Sequence, residues 1–397
     1  MKYGYLFILL VGLISCFDGH DSLQEPPVGI GSEEPFLLTT DHGIYLSWME
    51  PIEGDIHLRY SVYSTNRWSE PKTIAKGSNW FVNWADFPAL INNDDKLIAH
   101  FLEMSGTNTY DYDIMYTISN DRGKHWSEPV KLNSDTIKGE HGFVSGIPYK
   151  DGFALTWLDG RYTKGENPRM SLRGALIGAD GLVSSAYELD SMTCDCCQTA
   201  MVMGAEQPLV FYRDRTVAEV RDISFVTLGE ESAVPRRLHD DLWEINACPV
   251  NGPAVDRDGQ TIGVAWYAGK ESNYEVKLKI SNDAGKTFGP PIKVDGPQSF
   301  GRVDVKLAND IIYITYLTRK DEEGSIVLAT YDFDGSLRSK LPLATVSLDR
   351  GTGFPRTAIW QNKLLISWTD VEEKRVKLLS VPLSSNSRSA SMQRSIN

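Results

Sequence analysis

The stretch that decides the fold is Trp-Tyr-Ala-Gly-Lys-Glu-Ser-Asn-Tyr-Glu-Val-Lys-Leu-Lys-Ile-Ser-Asn-Asp-Ala-Gly-Lys-Thr-Phe, residues 266–288. An alternating strand over residues 274–280 leads into the octet 281–288, and the same octet pattern returns as Ser-Asn-Asp-Arg-Gly-Lys-His-Trp at residues 119–126. The Asp can accept backbone N–H bonds, the Gly can take positive φ, and the aromatic can pack back onto the sheet. Both octets therefore predict a tight hairpin turn, built on Asp121, Gly123, Trp126, Asp283, Gly285 and Phe288.

A repeat of about fifty residues runs through most of the chain. Its marker is an aromatic at the end of an apolar strand, and successive markers lie 50 to 56 residues apart: Trp48, Phe101, Trp157, Phe211, Trp266, Tyr316 and Trp368. Alternation with a period of two dominates inside each unit, as in Ile56, Leu58 and Tyr60. Such a repeat predicts an all-β fold, a single β-propeller with about four antiparallel strands per blade. The markers indicate seven blades, with six as the alternative if the first unit partly closes the last.

The two octets resemble the Asp-box, or BNR repeat, of the sialidase-like β-propellers. The segments Cys-Asp-Cys-Cys-Gln-Thr (194–199), Cys-Pro-Val-Asn-Gly-Pro (248–253) and Gly-Arg-Val-Asp (301–304) also resemble bacterial exported proteins described as exo-α-sialidases. The resemblance implies a glycan partner and places the Asp-boxes on the face away from the catalytic site.

Composition and the chain ends set the organisation and the location. The net charge of −13 gives no basic footprint for nucleic acid, and we expect a monomer. Residues 1–15 are typical of an export signal, and Leu-Ile-Ser-Cys at residues 13–16 looks like a bacterial lipobox that would lipidate Cys16. The alternative is an ordinary signal peptide with an incidental cysteine. We expect a polar tether over residues 16–33, the propeller over 34–383, a disordered Ser-rich tail over 384–397, and a cell-envelope protein held to the membrane by its lipid alone.

Polar residues recur where the innermost strand of each unit should begin. Inner strand ends line the mouth of a propeller channel, so these residues predict a concave ligand site. The alternative is that they only tie loops together. The candidate ligand-binding residues are Arg161, Arg213, Arg302, Asp304, Arg356, His141 and Asn251. Arg302 and Asp304, two apart, are expected on one strand face, with the carboxylate orienting the guanidinium.

Four cysteines besides Cys16 are expected to meet at this mouth: Cys194, Cys196, Cys197 and Cys248. Cys197 and Cys248 lie 51 residues apart, one repeat, so they should begin corresponding strands of neighbouring blades. Export favours disulfides, but pairs within the cluster would close very small rings. A bridge to Cys248, a zinc or copper site including His141, and free thiols all remain open. No cofactor is required by the sequence.

Sialidases hold a sugar carboxylate with three arginines and use a Tyr–Glu nucleophile pair and an Asp acid/base. Their first arginine lies in a Phe/Tyr-Arg-Ile-Pro motif, whereas this chain has no such motif and no arginine before Arg59. The candidates here are Asp86 as the acid and Tyr212 with Glu219 as the nucleophile pair. Three functions compete: a glycoside hydrolase for acidic sugars, a non-catalytic glycan- or protein-binding propeller, and a metal or redox protein built on the cysteines.

Overall fold

The computed structural model describes residues 24–229, 234–271 and 273–383. The predicted export signal, residues 16–23 of the predicted tether, including Cys16, and the predicted tail lie outside them. Within the described residues, no helix has the length and apolar character needed to cross a membrane.

The described chain forms seven antiparallel sheets, so the predicted seven-bladed, all-β propeller is confirmed. Blade 1 contains β1 Glu33–Thr40, β2 Gly43–Ile52, β3 Asp55–Ser64, β4 Arg67–Trp68 and β5 Lys72–Gly77, and blade 2 contains β6 Leu90–Asn93, β7 Lys96–Met104, β8 Tyr112–Ser119 and β9 Val130–Lys131. Blade 3 contains β10 His141–Tyr149, β11 Gly152–Asp159, β12 Met170–Ile177 and β13 Val183–Thr193, and blade 4 contains β14 Ala200–Met203, β15 Pro208–Arg213, β16 Ile223–Thr227 and β17 Arg236–Arg237. Blade 5 contains β18 Ala254–Asp258, β19 Thr261–Lys270, β20 Asn273–Ser281 and β21 Ile292–Asp295. Blade 6 contains β22 Ser299–Ala308, β23 Ile311–Lys320, β24 Glu323–Asp332 and β25 Leu337–Val346. Blade 7 contains β26 Arg356–Trp360, β27 Lys363–Asp370 and β28 Arg375–Pro382.

The inner strands form a closed ring. β1, β6, β10, β14, β18, β22 and β26 adjoin in chain order, and β26 returns to β1. The first unit makes a complete blade of its own, and β1 packs against β26 and β27 of a last blade in which three strands are described. The ring is therefore closed by packing between the first and last blades.

The repeat aromatics stand in the second strand of every blade, where they fill the space between sheets. Trp48, Trp157 and Trp266 are fully buried, and each indole N–H donates to a carboxylate 2.7–2.9 Å away. Burial of a large aromatic with its polar edge satisfied stabilises the sheet without leaving an unpaired donor. This explains why an aromatic recurs at this place.

Antiparallel order assigns the loops to two faces. The inner strands begin at one face, which we call the mouth face, together with the loops from second to third strands. The first-to-second-strand turns and the third-to-fourth-strand hairpins, which include both Asp-boxes, lie on the opposite face.

The Asp-box of blade 5 has the predicted turn chemistry. Asp283 Oδ1 accepts from Ser281 Oγ at 2.8 Å and from the Thr287 backbone N–H at 2.9 Å, and Gly285 has a φ of +87°. Phe288 packs edge-on against Phe225, with ring centroids 5.4 Å apart. Phe225 belongs to blade 4, so the Asp-box of blade 5 packs two neighbouring blades together.

Replacing Asp283 with Ala is expected to lower the melting temperature by a few degrees, because Ser281 and Thr287 lose their shared acceptor. Asp283→Asn keeps one acceptor oxygen and is the milder control. Differential scanning calorimetry measures both. Chemistry at the mouth face should be unchanged, and a folded Asp283→Ala protein with impaired mouth-face function would mean that the faces are assigned in reverse.

Candidate active site at the mouth face

Most of the polar residues predicted to line the mouth are buried. Asp86, His141 and Asp304 are each at most 3 % exposed, and Asn251 and Arg302 are also buried. Trp84 stacks on Phe354 with ring centroids 5.9 Å apart, and the Arg302 guanidinium lies 4.6 Å from the Trp84 ring centroid. Aromatic side chains therefore pack among these polar groups.

A channel cavity of about 590 Å³ lies among the inner strands. Its lining includes Phe36, Phe87, Asp304 and Arg356 and extends to Ile359 near the far ends of the strands. The guanidinium of Arg356 lies 5.2 Å from the centroid of Phe36 and 5.1 Å from that of Phe87. Asp304 and Arg356 thus face the channel.

The predicted pairing of Arg302 with Asp304 is wrong. The register of β22 shifts between Gly301 and Asp304, and Arg302 has a φ of +50°, so simple two-residue alternation fails here. Arg302 Nη1 donates to the Gly353 carbonyl at 3.0 Å, whereas Asp304 Oδ2 accepts from Thr357 N and Oγ1 at 2.7 and 2.8 Å. Burial lowers the pKa of Arg302 to about 10. The contacts of Arg302 therefore stabilise the neighbouring loop.

Arg213 and Asn251 also serve the scaffold. Arg213 donates from Nε and Nη2 to the Asn251 carbonyl at 2.9 and 2.7 Å, from Nη1 to the Arg221 carbonyl at 2.7 Å, and from Nη2 to the Tyr267 carbonyl at 2.6 Å. Asn251 Oδ1 in turn accepts the Arg302 backbone N–H at 2.6 Å. These bonds use the groups that a ligand would need, and they join blades 4, 5 and 6.

A tyrosine hydroxyl links two carboxyl groups at the mouth face. Tyr112 Oη lies 3.2 Å from Asp86 Oδ2 and 3.0 Å from Glu140 Oε1, and the Phe143 N–H donates to Asp86 Oδ1 at 2.6 Å. Tyr112 and Asp86 are buried, while Glu140, next to the start of β10, keeps partial exposure. Glu140 is thus the member of the cluster that solvent can reach.

The surroundings keep these carboxyl groups protonated at higher pH than usual. Burial raises the pKa of Asp86 to about 8 against the opposing effect of the Phe143 hydrogen bond. Burial also raises the pKa of Glu140 to about 7; the hydrogen bond from Tyr112 opposes this rise and the charge of Asp195 adds to it. A carboxyl group that titrates near neutrality is suited to proton transfer.

The structure does not pair Tyr212 with Glu219. Tyr212 Oη donates to Asp190 Oδ2 at 2.5 Å, while Glu219 accepts from Arg215 Nη2 at 2.6 Å and from Arg221 Nη2 at 2.8 Å. Tyr212 is fully buried in β15, and Glu219 lies in the loop that follows. A Tyr–Glu pair beside Asp86 does exist, but it is Tyr112 with Glu140.

A second polar cluster surrounds His141. Its Nδ1 lies 3.0 Å from the Tyr112 carbonyl, and its Nε2 lies 3.2 Å from Asp135 Oδ2 and 3.8 Å from Asp159 Oδ1. Arg161 donates to Asp159 at 2.6 and 3.0 Å and to Asp135 at 3.4 Å. The ligand atoms of Asp135, His141 and Asp159 lie within 4.8 Å of one another, as in a cation site, but Arg161 already balances part of their charge. Arg161 is thus engaged with these carboxylates, and His141 faces them.

The imidazole of His141 is expected to make stability pH-dependent. Burial lowers its pKa, but the hydrogen bond to Asp135 and the charges of Asp159 and Asp135 outweigh burial and raise the pKa above 6.5. A raised pKa contributes stability that is fully present below the unfolded-state pKa and is lost as pH rises through the folded-state pKa.

Urea unfolding of the wild type and His141→Asn at a series of pH values measures this effect. The stability advantage of the wild type should shrink as pH rises from mildly acidic to mildly alkaline. Asp113 and Lys131 also face this cluster, and neither changes in the variant. An advantage that grows with pH would show that His141 is neutral in the folded protein.

Charged groups continue from Glu140 across blade 4. Asp195 is partly exposed and lies 3.3 Å from Arg215 Nη1, and Arg215 also binds Glu219. Asp195 raises the pKa of Glu140 through its charge, so the two carboxyl groups are electrostatic neighbours. Glu140 and Asp195 are therefore two partly exposed residues of the mouth face whose carboxyl groups interact through their charges.

The cysteines form one covalent bond in the structure. Cys196 and Cys248 are joined by a disulfide with a Cα–Cα distance of 6.2 Å, which links the segments preceding β14 and β18. This is a bridge from the cluster to Cys248, one of the sequence alternatives, although the partner is Cys196 rather than the repeat-matched Cys197. Cys194 and Cys197 are buried thiols with their sulfurs 3.4 Å apart.

Comparison with known proteins agrees with the repeat. Residues 53–224 match the family model described as the BNR repeat-like domain. Residues 53–224 therefore carry BNR-type repeats. The match ends within blade 4, and for the remaining blades the similarity to solved structures concerns the fold alone. No curated protein sequence matches the chain.

Several solved structures of carbohydrate-active proteins are similar to this chain, and the first of them shares its fold. An ulvan lyase, a polysaccharide lyase bound to -[GlcA(1-4)Rha3S]-, has 12 % identity and a TM-score of 0.54 over 89 % of this chain and 94 % of its own. An α-L-arabinanase of Penicillium chrysogenum has 10 % identity and a TM-score of 0.49, covering 91 % and 97 % of the two chains. The NanB sialidase of Streptococcus pneumoniae has 12 % identity and a TM-score of 0.41, covering 91 % and 69 %. At these identities the likeness concerns the fold.

Sequence reasoning named Asp86 but missed its partners Tyr112 and Glu140. Glu140 immediately precedes His141, a predicted mouth residue, so the repeat register contained a signal for it. Tyr112 begins the third strand of blade 2 and reaches the mouth through antiparallel geometry. Its contact with residues 26 and 28 positions away has no local pattern.

Proposed function

We propose that this BNR-type propeller is an exported glycan-cleaving enzyme, a glycoside hydrolase whose proton donor is Glu140. The hydrogen-bonded cluster of Asp86, Tyr112 and Glu140 carries the proposal. It places a partly exposed carboxyl with a pKa of about 7 next to the mouth of the propeller. The solved polysaccharide lyase of the same fold supports a glycan as the substrate class.

Glycoside hydrolysis uses one protonated carboxyl and one carboxylate. Glu140 donates its proton to the departing glycosidic oxygen. Asp195, which is partly exposed and whose charge raises the pKa of Glu140, is the carboxylate that activates water, and Arg215 at 3.3 Å holds it in place. The buried Asp86 and Tyr112 do not contact the substrate; Tyr112, which also bonds Asp86, positions Glu140 and lowers its pKa against the effect of burial.

The arginines indicate that the glycan is not a simple sialoside. Recognition of a sugar carboxylate needs several free guanidinium groups at one place. Here Arg213 and Arg302 bind backbone carbonyls, Arg161 binds Asp159, and Arg356 faces the channel. We expect weak or no release of sialic acid from a fluorogenic α-sialoside. Brisk release would overturn this reading of the arginines.

The N-terminal sequence supports attachment to the bacterial cell envelope through a lipid on Cys16. Metabolic labelling with a fatty-acid analogue should mark the wild type and not Cys16→Ser, which should also leave the membrane fraction. Unchanged membrane retention of Cys16→Ser would contradict the lipid anchor.

The cleavage itself is tested with the full-length protein and a panel of polysaccharides and fluorogenic glycosides that includes uronic-acid polymers. We expect new reducing ends from at least one glycan, without an absorbance from unsaturated uronate. Unsaturated products would identify an elimination and reject hydrolysis. If no glycan of the panel is either cleaved or bound, the assignment of a glycan as the substrate is wrong.

A further inference from the structure

The four cysteines form two layers at the mouth face. Cys248 is exposed and Cys196 is half-buried, so their disulfide reaches the surface. Cys194 and Cys197 are buried beneath, in Cys-x-x-Cys spacing. The sulfurs of Cys194, Cys196 and Cys248 all lie within 4.8 Å of one another, and Cys197 Sγ is 3.4 Å from Cys194 Sγ. A reduced pair therefore lies against an oxidised pair.

Basic groups face the buried pair. Arg221 Nη1 lies 3.2 Å from Cys194 Sγ, and Arg213 is held nearby by its carbonyl bonds. Burial raises the pKa of the Cys194 thiol, but the hydrogen bond with Cys197 and the charges of Arg221 and Arg213 outweigh it and lower the pKa. The thiolate is the nucleophile in disulfide exchange.

We propose that Cys194, Cys196, Cys197 and Cys248 form a thiol–disulfide exchange site, in which the surface disulfide and the buried pair exchange their bond. In the first step the Cys194 thiolate attacks Cys248 Sγ, the Cys196–Cys248 bond breaks, and Cys196 leaves as a thiolate that takes up a proton. In the second step the Cys197 thiolate attacks Cys194 Sγ, forms the Cys194–Cys197 disulfide and releases Cys248. Each bond formed matches one broken, and two protons pass from the buried pair to the surface pair, so no external oxidant or reductant is needed.

The exchange changes what the surface offers. In the isomer with the Cys196–Cys248 disulfide, a covalent link joins the segments before β14 and β18. In the isomer with the Cys194–Cys197 disulfide, that link is broken and Cys248 is an exposed thiol. The segment with the buried pair also carries Asp195, so the link constrains a residue of the proposed hydrolytic site. The exchange chemistry itself does not depend on glycan cleavage.

The test is disulfide mapping of the full-length protein after acid quenching and alkylation. The wild type should contain two species, one with a peptide of the 194–197 cluster joined to the Cys248 peptide and one with the Cys194–Cys197 bond inside a single peptide. Cys197→Ser blocks the second step, so the Cys194–Cys248 bond should increase roughly tenfold over the wild type. Cys194→Ser removes the attacking thiol and should contain the Cys196–Cys248 bond alone.

The proposal is overturned if the wild type and Cys197→Ser both contain only the Cys196–Cys248 bond after incubation with catalytic reduced glutathione at mildly alkaline pH. Elemental analysis of the same sample gives an independent outcome. Stoichiometric zinc or copper held by the four thiolates, with no disulfide, would also overturn it. The wild-type map decides the matter even if a variant does not fold.

Discussion

Replacing Glu140 with Gln is expected to reduce the kcat of glycan cleavage by about 10²–10⁴-fold, the usual effect of losing a general acid. The amide has nearly the shape of the acid and can still accept from Tyr112, so folding should be little affected. KM should change far less than kcat, because the lost proton transfer belongs to the transition state. Steady-state kinetics on the glycan identified from the panel measures both.

Glu206→Gln is the matched control. Glu206 is an exposed residue in the turn between β14 and β15, on the opposite face, so Glu206→Gln makes the same acid-to-amide change without touching the mouth. Its kinetics should equal those of the wild type. Equal activity of Glu140→Gln and Glu206→Gln would show that Glu140 takes no part in the reaction.

Replacing Arg213 with Met should destabilise the protein by about 3–5 kcal/mol, since three buried carbonyls lose their donors. The side chain is 1 % exposed and its guanidinium also lies 4.9 Å from the Trp243 ring centroid. Methionine can fill part of the space but cannot donate. Urea unfolding followed by Trp fluorescence measures the free energy of unfolding.

Arg161→Met is the matched comparison for Arg213→Met. Arg161 keeps partial exposure, and its buried partner Asp159 also accepts from the Trp157 indole N–H, so the loss of Arg161 should cost less. A fully stable Arg213→Met protein with weakened glycan binding would restore Arg213 as a ligand-binding residue, as the sequence first suggested.

The propeller could be predicted because its determinants are local and repeated. A buried aromatic in the second strand and an Asp–Gly hairpin recur in register, and each repeat has the same packing requirement. The blade count follows from the markers Trp48 to Trp368. The mouth face follows from the same register, which is why Asp86, His141 and Asn251 were expected there.

The direction of each mouth side chain could not be predicted. Two-residue alternation places Arg302 beside Asp304, but the shifted register and positive φ of β22 separate them. Tyr212 and Glu219 are seven positions apart in one unit, yet each is bound to a different neighbour. Contacts such as Tyr112 with Glu140 join two blades, and such contacts depend on how the blades are oriented rather than on spacing.

The central claim, that a carboxyl bound to Tyr112 supplies the proton, is tested most directly by the pH dependence of kcat/KM for the wild type and Tyr112→Phe. A general acid works protonated, so wild-type activity should fall as pH rises through about 7. The Tyr112 hydrogen bond lowers the pKa of Glu140, so its removal should raise that pKa and move the alkaline limb to higher pH. A limb that stays in place or moves to lower pH in Tyr112→Phe would contradict the assignment of Glu140 as the proton donor.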